Sequence, residues 1–559
     1  MGSPRHAARH AARSRPARGP AGGPAGGLAR TSALMVLGTV VSRATGFIRL
    51  GLQVAALGTG LLATTYNNAN TVPASLYTLL IGGALNSVLV PQLVQARVQH
   101  ADGGLAHEQR LLTMVLCVLG AGTLLAVLAA PEIASLYLTD TPDHHAAFEL
   151  TVVFARFLLP QILFYGLYAI LGQLLNARNR FGAMMWTPVL NNVVLITLFG
   201  LYLGLIGSSS GSTSITPADI RLLGIGTTVG IALQALALIP YLRGCGFSFR
   251  PRFDWRGTGL RASVSAARWT LLFVAANLVA VTVVTRYATA ADSALPHGGV
   301  GTSAYGYAQT IWQLPQSVIT VSLVTALLPR LSRAVAEQRL DDVRDELSRG
   351  LRATGMVIVP AAFFFLAFGP EITALLPGHG PTLPMGRMLQ AFALGLIPFS
   401  AQYLLLRGFY AFSDTRTPFW AALWISGLDI ALAAGCHLLL PARWAVTGMA
   451  AAYSLSYLAG LLLTATRLRR RLEGRLDGRR LARSYGKLVL AAGVAAAASW
   501  AAVQALHLGA PLSAPAGAVA MGPLFLATAW LLRLPELRLA RRFARRLVPG
   551  ARATSAPRA

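Results

Sequence analysis

The chain has 559 residues, of which 54% are hydrophobic and only 12% charged, and its mean hydropathy is +0.56. This composition excludes a water-soluble globule and indicates an integral membrane protein. The net charge of +28 would suggest nucleic acid on a soluble domain, but much of it lies in three segments beside apolar stretches, 1–30, 467–487 and 533–559. Such clusters are typical of cytoplasmic retention and of contact with anionic membrane lipids, so we expect no nucleic-acid partner.

Apolar windows near 20 residues predict an all-α polytopic membrane protein with about 14 transmembrane helices. The windows lie near 32–57, 65–97, 111–130, 150–176, 184–206, 221–243, 264–286, 302–332, 351–376, 385–411, 418–440, 444–466, 486–506 and 511–533. Residues 1–30 are rich in Ala, Arg, Pro and Gly and are expected to form a disordered basic cytoplasmic tail.

The connections after even-numbered windows carry the arginines, whereas 131–149 has four acids and no arginine or lysine. Since cytoplasmic loops are enriched in Lys and Arg, both termini are predicted to be cytoplasmic in a plasma membrane.

Two proline-entered windows look related, one from Pro73 to Leu93 and one from Pro315 to Leu331. This repeat predicts two six-helix lobes whose interface forms a substrate pathway. The expected boundaries are 31–245 and 262–470 for the lobes, 484–533 for two additional transmembrane helices and 534–559 for a basic cytoplasmic tail.

The first window contains two arginines, Arg43 and Arg49. A buried intramembrane arginine usually faces a protein interior or a watery cavity. The two are separated by about 9 Å of rise and roughly 120° of rotation, so both can line one wall and hold a diphosphate. Gly46 between them allows a ligand or another backbone to approach closely. The alternative is that one or both side chains reach the headgroups, which is more credible for Arg49 than for Arg43.

Three further sets of polar residues lie within the apolar windows. Arg156 could line the cavity or form a structural pair, and Asp429 could be a proton or cation site or only a hydrogen-bonding group. Asn67, Asn68 and Asn70 favour hydrogen bonds between helices over headgroup contact. The amphipathic segment 330–352 is typical of a solvated surface helix.

The sequence offers no support for catalysis. Cys117, Cys245 and Cys436 have no metal-ligand spacing, and we find no phosphate-cradling glycine loop and no nucleophile with a matching base. We therefore expect no metal, no cofactor and no enzymatic activity.

Several short motifs follow one another in order. They are Ser42-Arg43 with Gly46-Phe47 and Arg49, Val90-Pro91, Leu175-Asn176-Ala177-Arg178-Asn179-Arg180-Phe181 with Pro188 and Asn191, Gln313-Leu314-Pro315, Leu327-Leu328-Pro329-Arg330-Leu331-Ser332, and Gly408-Phe409-Tyr410 with Asp414 and Thr417-Pro418. On these motifs, residues 31–470 resemble the MurJ (MviN) lipid II flippases of the multidrug/oligosaccharidyl-lipid/polysaccharide exporter superfamily. The Gln-Leu-Pro form is similar to the actinobacterial branch.

The resemblance implies a V-shaped bundle of two six-helix lobes that moves the undecaprenyl-diphosphate-linked peptidoglycan precursor by alternating access. Arg43 and Arg49 match the family's span-one arginines, which would hold the diphosphate. Cell-wall synthesis proteins are possible partners by the same resemblance.

The chain departs from the proteobacterial pattern at positions where other members are charged. It has Thr65, Tyr77, Thr78 and Gly82 in the second window and Gln309, Thr310 and Gln313 in the eighth. Two alternatives therefore stay open: an exporter of another polyprenyl-linked glycan or of a drug, and a non-transporting cell-wall scaffold. A drug antiporter would be expected to place acids in its cavity, which the span-one arginines do not favour.

Overall fold

A computed structural model describes residues 25–79, 93, 102, 104–178, 180, 182–206, 216–254, 260–295, 300–317, 321–377, 382–474 and 476–537. Every regular element in these ranges is a helix. The helices are α1 Ala25–Leu57, α2 Leu61–Leu79, α3 Leu105–Leu128, α4 Ala130–Ser135, α5 His145–Leu158, α6 Gln161–Ala177, α7 Gly182–Ile206, α8 Pro217–Leu236, α9 Leu238–Arg243, α10 Leu260–Ser293, α11 Thr302–Pro315, α12 Val321–Ala336, α13 Leu340–Ala374, α14 Thr382–Ala393, α15 Leu396–Ala411, α16 Arg416–Leu439, α17 Ala442–Arg471, α18 Gly478–Ala505 and α19 Ala510–Leu531.

The apolar helices confirm the predicted all-α membrane fold. Within the described ranges, 11 helices are long and apolar enough to cross a membrane, or 12 if α14 and α15, which meet at 47°, form one broken span. The predicted windows near 65–97 and 302–332 are not among them. The first continues beyond Leu79 outside the described residues, and the second is divided between α11 and α12. The count of fourteen therefore stays a prediction.

The two halves of the chain use the same packing order. In the first half α1 packs on α7, α7 on α8, and α2 on α5 and α6. In the second half α10 packs on α16, α16 on α17, and α11 on α14. We call α1–α9 the first lobe and α10–α17 the second lobe.

The last two helices dock on the second lobe. α18 and α19 pack on each other and on α13. Beyond α19, Glu536 is 1% exposed, pairs with Arg352 at 3.3 Å and accepts a hydrogen bond from the Ser484 hydroxyl at 3.0 Å. Leu534 is also buried. The buried ion pair thus holds the start of the predicted 534–559 tail in the packed structure, while residues 538–559 lie outside the described part. At the other terminus α1 already begins at Ala25, inside the predicted tail.

Alternating helix directions place the helix ends at two ends of the bundle. We call the end at which α1, α3, α10, α13 and α16 finish the arginine-poor end. The helices α6, α9, α12, α15 and α17 finish at the opposite, arginine-rich end. Side-chain contacts agree with this division, because Arg178 after α6 pairs with Glu108 at the start of α3, and Arg471 at the end of α17 pairs with Asp414 after α15.

Candidate functional site

Arg43 lies on the face of α1 that is directed at the second lobe. Leu50 and Val54 follow it by seven and eleven residues, so on an α-helix the three side chains share one face. Leu50 and Val54 are only 3% and 4% exposed and belong to an apolar cluster with Ile311 and Trp312 of α11. Arg43 is about 10 Å farther toward the arginine-rich end and is exposed. Arg43 is therefore an exposed residue on the α1 face that is directed at the second lobe.

Arg49 lies deeper, next to the contact between the lobes. It is half-buried, and its Nε is buried without a hydrogen-bond partner among the described residues. It interacts electrostatically with Tyr66 of α2 and Tyr307 of α11. A buried donor left unpaired costs about 1–3 kcal/mol. Arg49 is thus placed to gain from an anion that reaches it.

Gly46 faces α7 in this structure. A Cβ built on Gly46 would lie 3.6 Å from Asn192 Nδ2. Asn192 Nδ2 donates to the Ser42 carbonyl at 2.9 Å and to Thr45 Oγ1 at 3.0 Å. Gly46 therefore helps α1 to pack on α7, and its predicted role in ligand approach stays a prediction.

A set of hydrogen bonds joins the two lobes at the arginine-poor end. Asn67 Nδ2 donates to Ser303 Oγ at 2.9 Å and to the Tyr307 hydroxyl at 3.4 Å, and Asn67 Oδ1 accepts from Gln53 Nε2 at 3.2 Å. Nearby, Asn68 Nδ2 donates to Thr289 Oγ1 at 3.3 Å, and Thr64 Oγ1 donates to Asp292 Oδ2 at 3.4 Å. We call this set the lobe seal: Gln53, Thr64, Asn67, Asn68, Thr289, Asp292, Ser303 and Tyr307.

The hydrogen bonds of the lobe seal confirm the prediction for Asn67 and Asn68, whereas Asn70 Oδ1 has no hydrogen-bond partner among the described residues. The sequence analysis missed their partners on α10 and α11, because Thr289, Ser303 and Tyr307 carry no charge and form no motif. Asp292 could have indicated this contact from the sequence, because it is an acid at the end of an apolar stretch. In the structure it is only 9% exposed.

The positions that depart from the family's charge pattern hold neutral side chains. Thr65 is 1% exposed, and its hydroxyl donates back to the Leu61 and Leu62 carbonyls. On α11, Gln309 is half-buried while Thr310 and Gln313 are exposed. Tyr77, Thr78 and Gly82 fall on residues whose side chains or backbone are outside the described part.

Arg156 is not brought to the two α1 arginines. It is exposed in the last turn of α5. Phe154 packs edge-on against Tyr66, and the Phe157 carbonyl accepts from Thr228 Oγ1 of α8. Two residues on a helix are about 200° apart, so Arg156 points away from α2 and the residues beside Arg49. Its predicted part in substrate binding receives no support and stays a prediction.

Asp429 is buried inside the second lobe. It is 6% exposed on α16, and its Oδ1 has no hydrogen-bond partner among the described residues. It interacts electrostatically with Tyr305, Tyr453 and Tyr457. No group of three His, Cys, Asp or Glu that could hold a metal occurs in the described ranges. A lone buried carboxylate among tyrosines can take up a proton or a monovalent cation.

The α1 arginines suit recognition of a phosphate group. A guanidinium is permanently charged and offers a planar fork of donors that matches phosphate oxygens. Arg43 is exposed and lies nearer the arginine-rich end, whereas Arg49 is beside Tyr307 of the lobe seal. Together they can contact one anion along α1, on the arginine-rich side of the lobe seal.

Comparisons with known proteins agree with this architecture. The family model "Lipid II flippase MurJ" matches residues 54–519. A protein of Rhizobium meliloti (strain 1021) named "Probable lipid II flippase MurJ" is 30% identical over 488 residues, which covers 86% of this chain and 87% of that protein. A protein of the same name from Haemophilus influenzae is 27% identical over 406 residues, covering 68% of this chain and 75% of that protein.

Solved structures show the same fold. The structure described as "Lipid II flippase MurJ, inward closed conformation" aligns with a TM-score of 0.72 at 18% identity and covers 91% of this chain and 100% of that one. An inward-facing multidrug resistance MATE family transporter of the MOP superfamily aligns with a TM-score of 0.56 at 14% identity, over 79% of this chain and 99% of that one. Because the family model spans most of the sequence, the chain belongs to the MurJ family of lipid II flippases.

Proposed function

We propose that this protein is a flippase that moves lipid II, the undecaprenyl-diphosphate-linked peptidoglycan precursor, across the plasma membrane by alternating access. The observation that carries the proposal is the position of Arg43. It faces the second lobe and is exposed on the arginine-rich side of a contact that joins the lobes at the opposite end. Membership of the MurJ family supports the same cargo.

The diphosphate would meet the two arginines in order. Arg43 is exposed, so an anion can reach it from the arginine-rich side. Arg49, about 9 Å farther along α1, has a buried Nε that finds no acceptor among the described residues. The neutral residues Thr65 and Gln309 place no carboxylate where it would compete with the diphosphate.

We infer that the arginine-rich end is cytoplasmic and that both termini lie on that side. The positive-inside bias supports this orientation. In this orientation the lobe seal is at the outer face, and Arg43 lies on the side of the leaflet in which the lipid-linked precursor is made.

Asp429 is our candidate for the group that links transport to an ion or proton gradient. Its burial supports this role, as does an Oδ1 that has no hydrogen-bond partner in the described part of the chain. We further propose membrane lipids and cell-wall synthesis proteins as partners, and a transport cycle with no catalytic step and no cofactor.

The test replaces the only copy of the gene with variants in cells that depend on it. Arg43→Ala and Arg49→Ala are expected to cause growth arrest and to leave lipid II inaccessible to a probe added outside. Arg221→Ala, which removes an exposed arginine from the first turn of α8, serves as the matched control and should behave as wild type. Undisturbed growth and normal lipid II exposure in both α1 variants, at normal protein levels, would refute the flippase and favour a scaffold.

A separate test addresses Asp429. Asp429→Asn keeps the shape of the side chain and removes its charge. We expect transport that no longer responds to the ion or proton gradient, with binding of the lipid-linked diphosphate intact. An unchanged gradient dependence would remove Asp429 from the mechanism while leaving the α1 site standing.

A further inference from the structure

A pocket lined by arginines lies at the arginine-poor end of the second lobe, on the opposite side of the lobe seal from Arg43. It is a cavity of about 280 Å³ between the start of α14 and the start of α17. Its lining residues are Val300, Pro384, Arg387, Arg443, Trp444 and Thr447. None of them belongs to the site on α1 or to the lobe seal.

The two arginines of this pocket form no salt bridge with a carboxylate in the described part of the chain. Arg387 and Arg443 are both exposed, and the Arg387 Cζ lies 4.8 Å from the centroid of the Trp444 ring. Stacking on the ring fixes the plane of the guanidinium and leaves its N–H edge available. None of the described residues that line the pocket is acidic. In an arginine-lined cavity at α12 and α13, by contrast, Asp342 and Glu346 pair with the arginines.

The position of these arginines runs against the charge bias of the fold. Membrane proteins place Lys and Arg mainly in cytoplasmic connections, and the 131–149 connection at the arginine-poor end has none. Orientation in the membrane therefore does not explain two convergent arginines at this end. The first turn of α17, which carries Arg443 and Trp444, adds backbone N–H groups and the positive end of the helix dipole. The Thr447 hydroxyl supplies a further donor.

We propose that the pocket formed by Arg387, Arg443, Trp444 and Thr447 binds a phosphate-bearing group at the outer face of the protein. Two forked cations, a hydroxyl and a helix start match the oxygens of a phosphate mono- or diester. The tryptophan at this level suits the boundary between headgroups and acyl chains. The phosphate can belong to the headgroup of an anionic lipid or to a soluble phosphate compound, and the experiment separates these two sources.

The experiment uses the purified full-length protein in the Arg43→Gln/Arg49→Gln background, so that the α1 arginines do not contribute to phosphate binding. One arm measures retention of phosphatidylglycerol against phosphatidylcholine by native mass spectrometry, and the other measures binding of inorganic pyrophosphate by calorimetry. Arg387→Gln/Arg443→Gln is compared with Arg221→Gln, which removes an exposed arginine from the first turn of α8, also at the arginine-poor end. We expect binding in at least one arm to be about tenfold or more weaker in the double variant, because each lost charge-assisted contact is worth about that factor.

The pattern of loss identifies the source. A loss for phosphatidylglycerol alone assigns the pocket to a lipid headgroup, a loss for pyrophosphate alone assigns it to a soluble phosphate, and a loss for both assigns it to the phosphate group itself. Equal binding by the double variant and by Arg221→Gln in both arms overturns the proposal. Arg387→Lys/Arg443→Lys keeps the positive charges but not the planar guanidinium groups, so it should bind more strongly than Arg387→Gln/Arg443→Gln. Such recovery shows that the loss in the glutamine variant is not due to misfolding.

Discussion

The lobe seal predicts that Asn67 limits access to the contact between the lobes from the arginine-poor end. Asn67 donates to Ser303 and Tyr307 across the lobes and accepts from Gln53. Asn67→Ala removes the two hydrogen bonds that Asn67 itself makes between the lobes. At about 0.5–1.5 kcal/mol for each bond, the sealed state loses about 1–3 kcal/mol relative to the unsealed one. Since 1.4 kcal/mol is a factor of ten, the unsealed population should rise by about 5- to 150-fold.

The assay is the labelling rate of a cysteine within the lobe contact. Val54 is 4% exposed and belongs to the apolar cluster that contains Ile311 and Trp312 of α11. Val54→Cys keeps a side chain of similar size and removes no side-chain hydrogen bond. Cys117, Cys245 and Cys436 are first replaced by alanine or serine. A membrane-impermeant maleimide added from outside then reports transient opening, because its labelling rate follows the population of the open form when opening is fast.

The matched control is Asn192→Ala. Asn192 also makes two hydrogen bonds through Nδ2, to the Ser42 carbonyl and Thr45 Oγ1, but both lie within the first lobe. We expect faster labelling for Asn67→Ala and an unchanged rate for Asn192→Ala. If both variants, or neither of them, change the rate, the reasoning that Asn67 holds the lobes together is refuted.

Three other predictions concern the packing that supports the site. Arg352→Ala should lower the free energy of unfolding in detergent by about 3–5 kcal/mol, because it leaves the buried Glu536 without its cation. The control Arg349→Ala removes a side chain that is 53% exposed and should cost less than about 1 kcal/mol. Equal losses in the two variants would contradict the burial argument. Gly386→Ala should lower the free energy of unfolding by about 1–3 kcal/mol, because the new Cβ would lie 2.4 Å from Pro370 Cα. In the control Gly427→Ala the new Cβ meets no atom within 4 Å, so this variant should be neutral. Similar melting temperatures for the two variants would count against the close contact between α13 and α14. The Arg110 guanidinium beside Asp254, with Nε 2.8 Å from Oδ2, holds the pKa of that carboxyl below its ordinary value. This attachment of the 247–254 segment to α3 is therefore present above the ordinary carboxyl pKa and lost as the pH falls through the lowered one. The hydrogen-exchange protection of 247–254, taken relative to the intrinsic exchange rate at each pH, should fall on acidification in the wild type. Asp254→Asn should show the lower protection already at neutral pH.

The helical architecture was predictable because lipid imposes a simple rule on the sequence. Each span needs about 20 apolar residues, and the windows near 111–130 and 418–440 match α3 and α16 to within a few residues. The broken elements were harder to place. α14 and α15 occupy one predicted window but meet at 47°, and a composition average over a window does not register a bend.

The site was predictable where charge marked it and unpredictable where it depends on packing. Arg43 stands out in an apolar helix, and so it could be named from the sequence alone. Its direction could not, because it follows from the burial of Leu50 and Val54 against α11, a contact between residues far apart in the chain. For Arg156 the charge was equally visible, yet the packing of Phe154 and Phe157 turns it away from Arg49.

The position of Arg49 suggests how cargo would act on the lobes. A ligand shifts a conformational equilibrium only by its differential affinity for the two states. Within the part of the chain that the structure describes, the buried Nε of Arg49 has no hydrogen-bond partner. Arg49 interacts with Tyr66 and with Tyr307, which belongs to the lobe seal. A diphosphate that pairs with Arg49 adds negative charge and hydrogen-bond acceptors beside the bonds that Asn67 makes across the lobes. If the unsealed state lets the anion contact Arg49 more closely, the gain of about 1–3 kcal/mol from satisfying a buried donor matches the cost of losing the two Asn67 bonds. On this account Asn67→Ala should weaken the dependence of Val54→Cys labelling on added cargo, and Arg49→Gln should abolish that dependence.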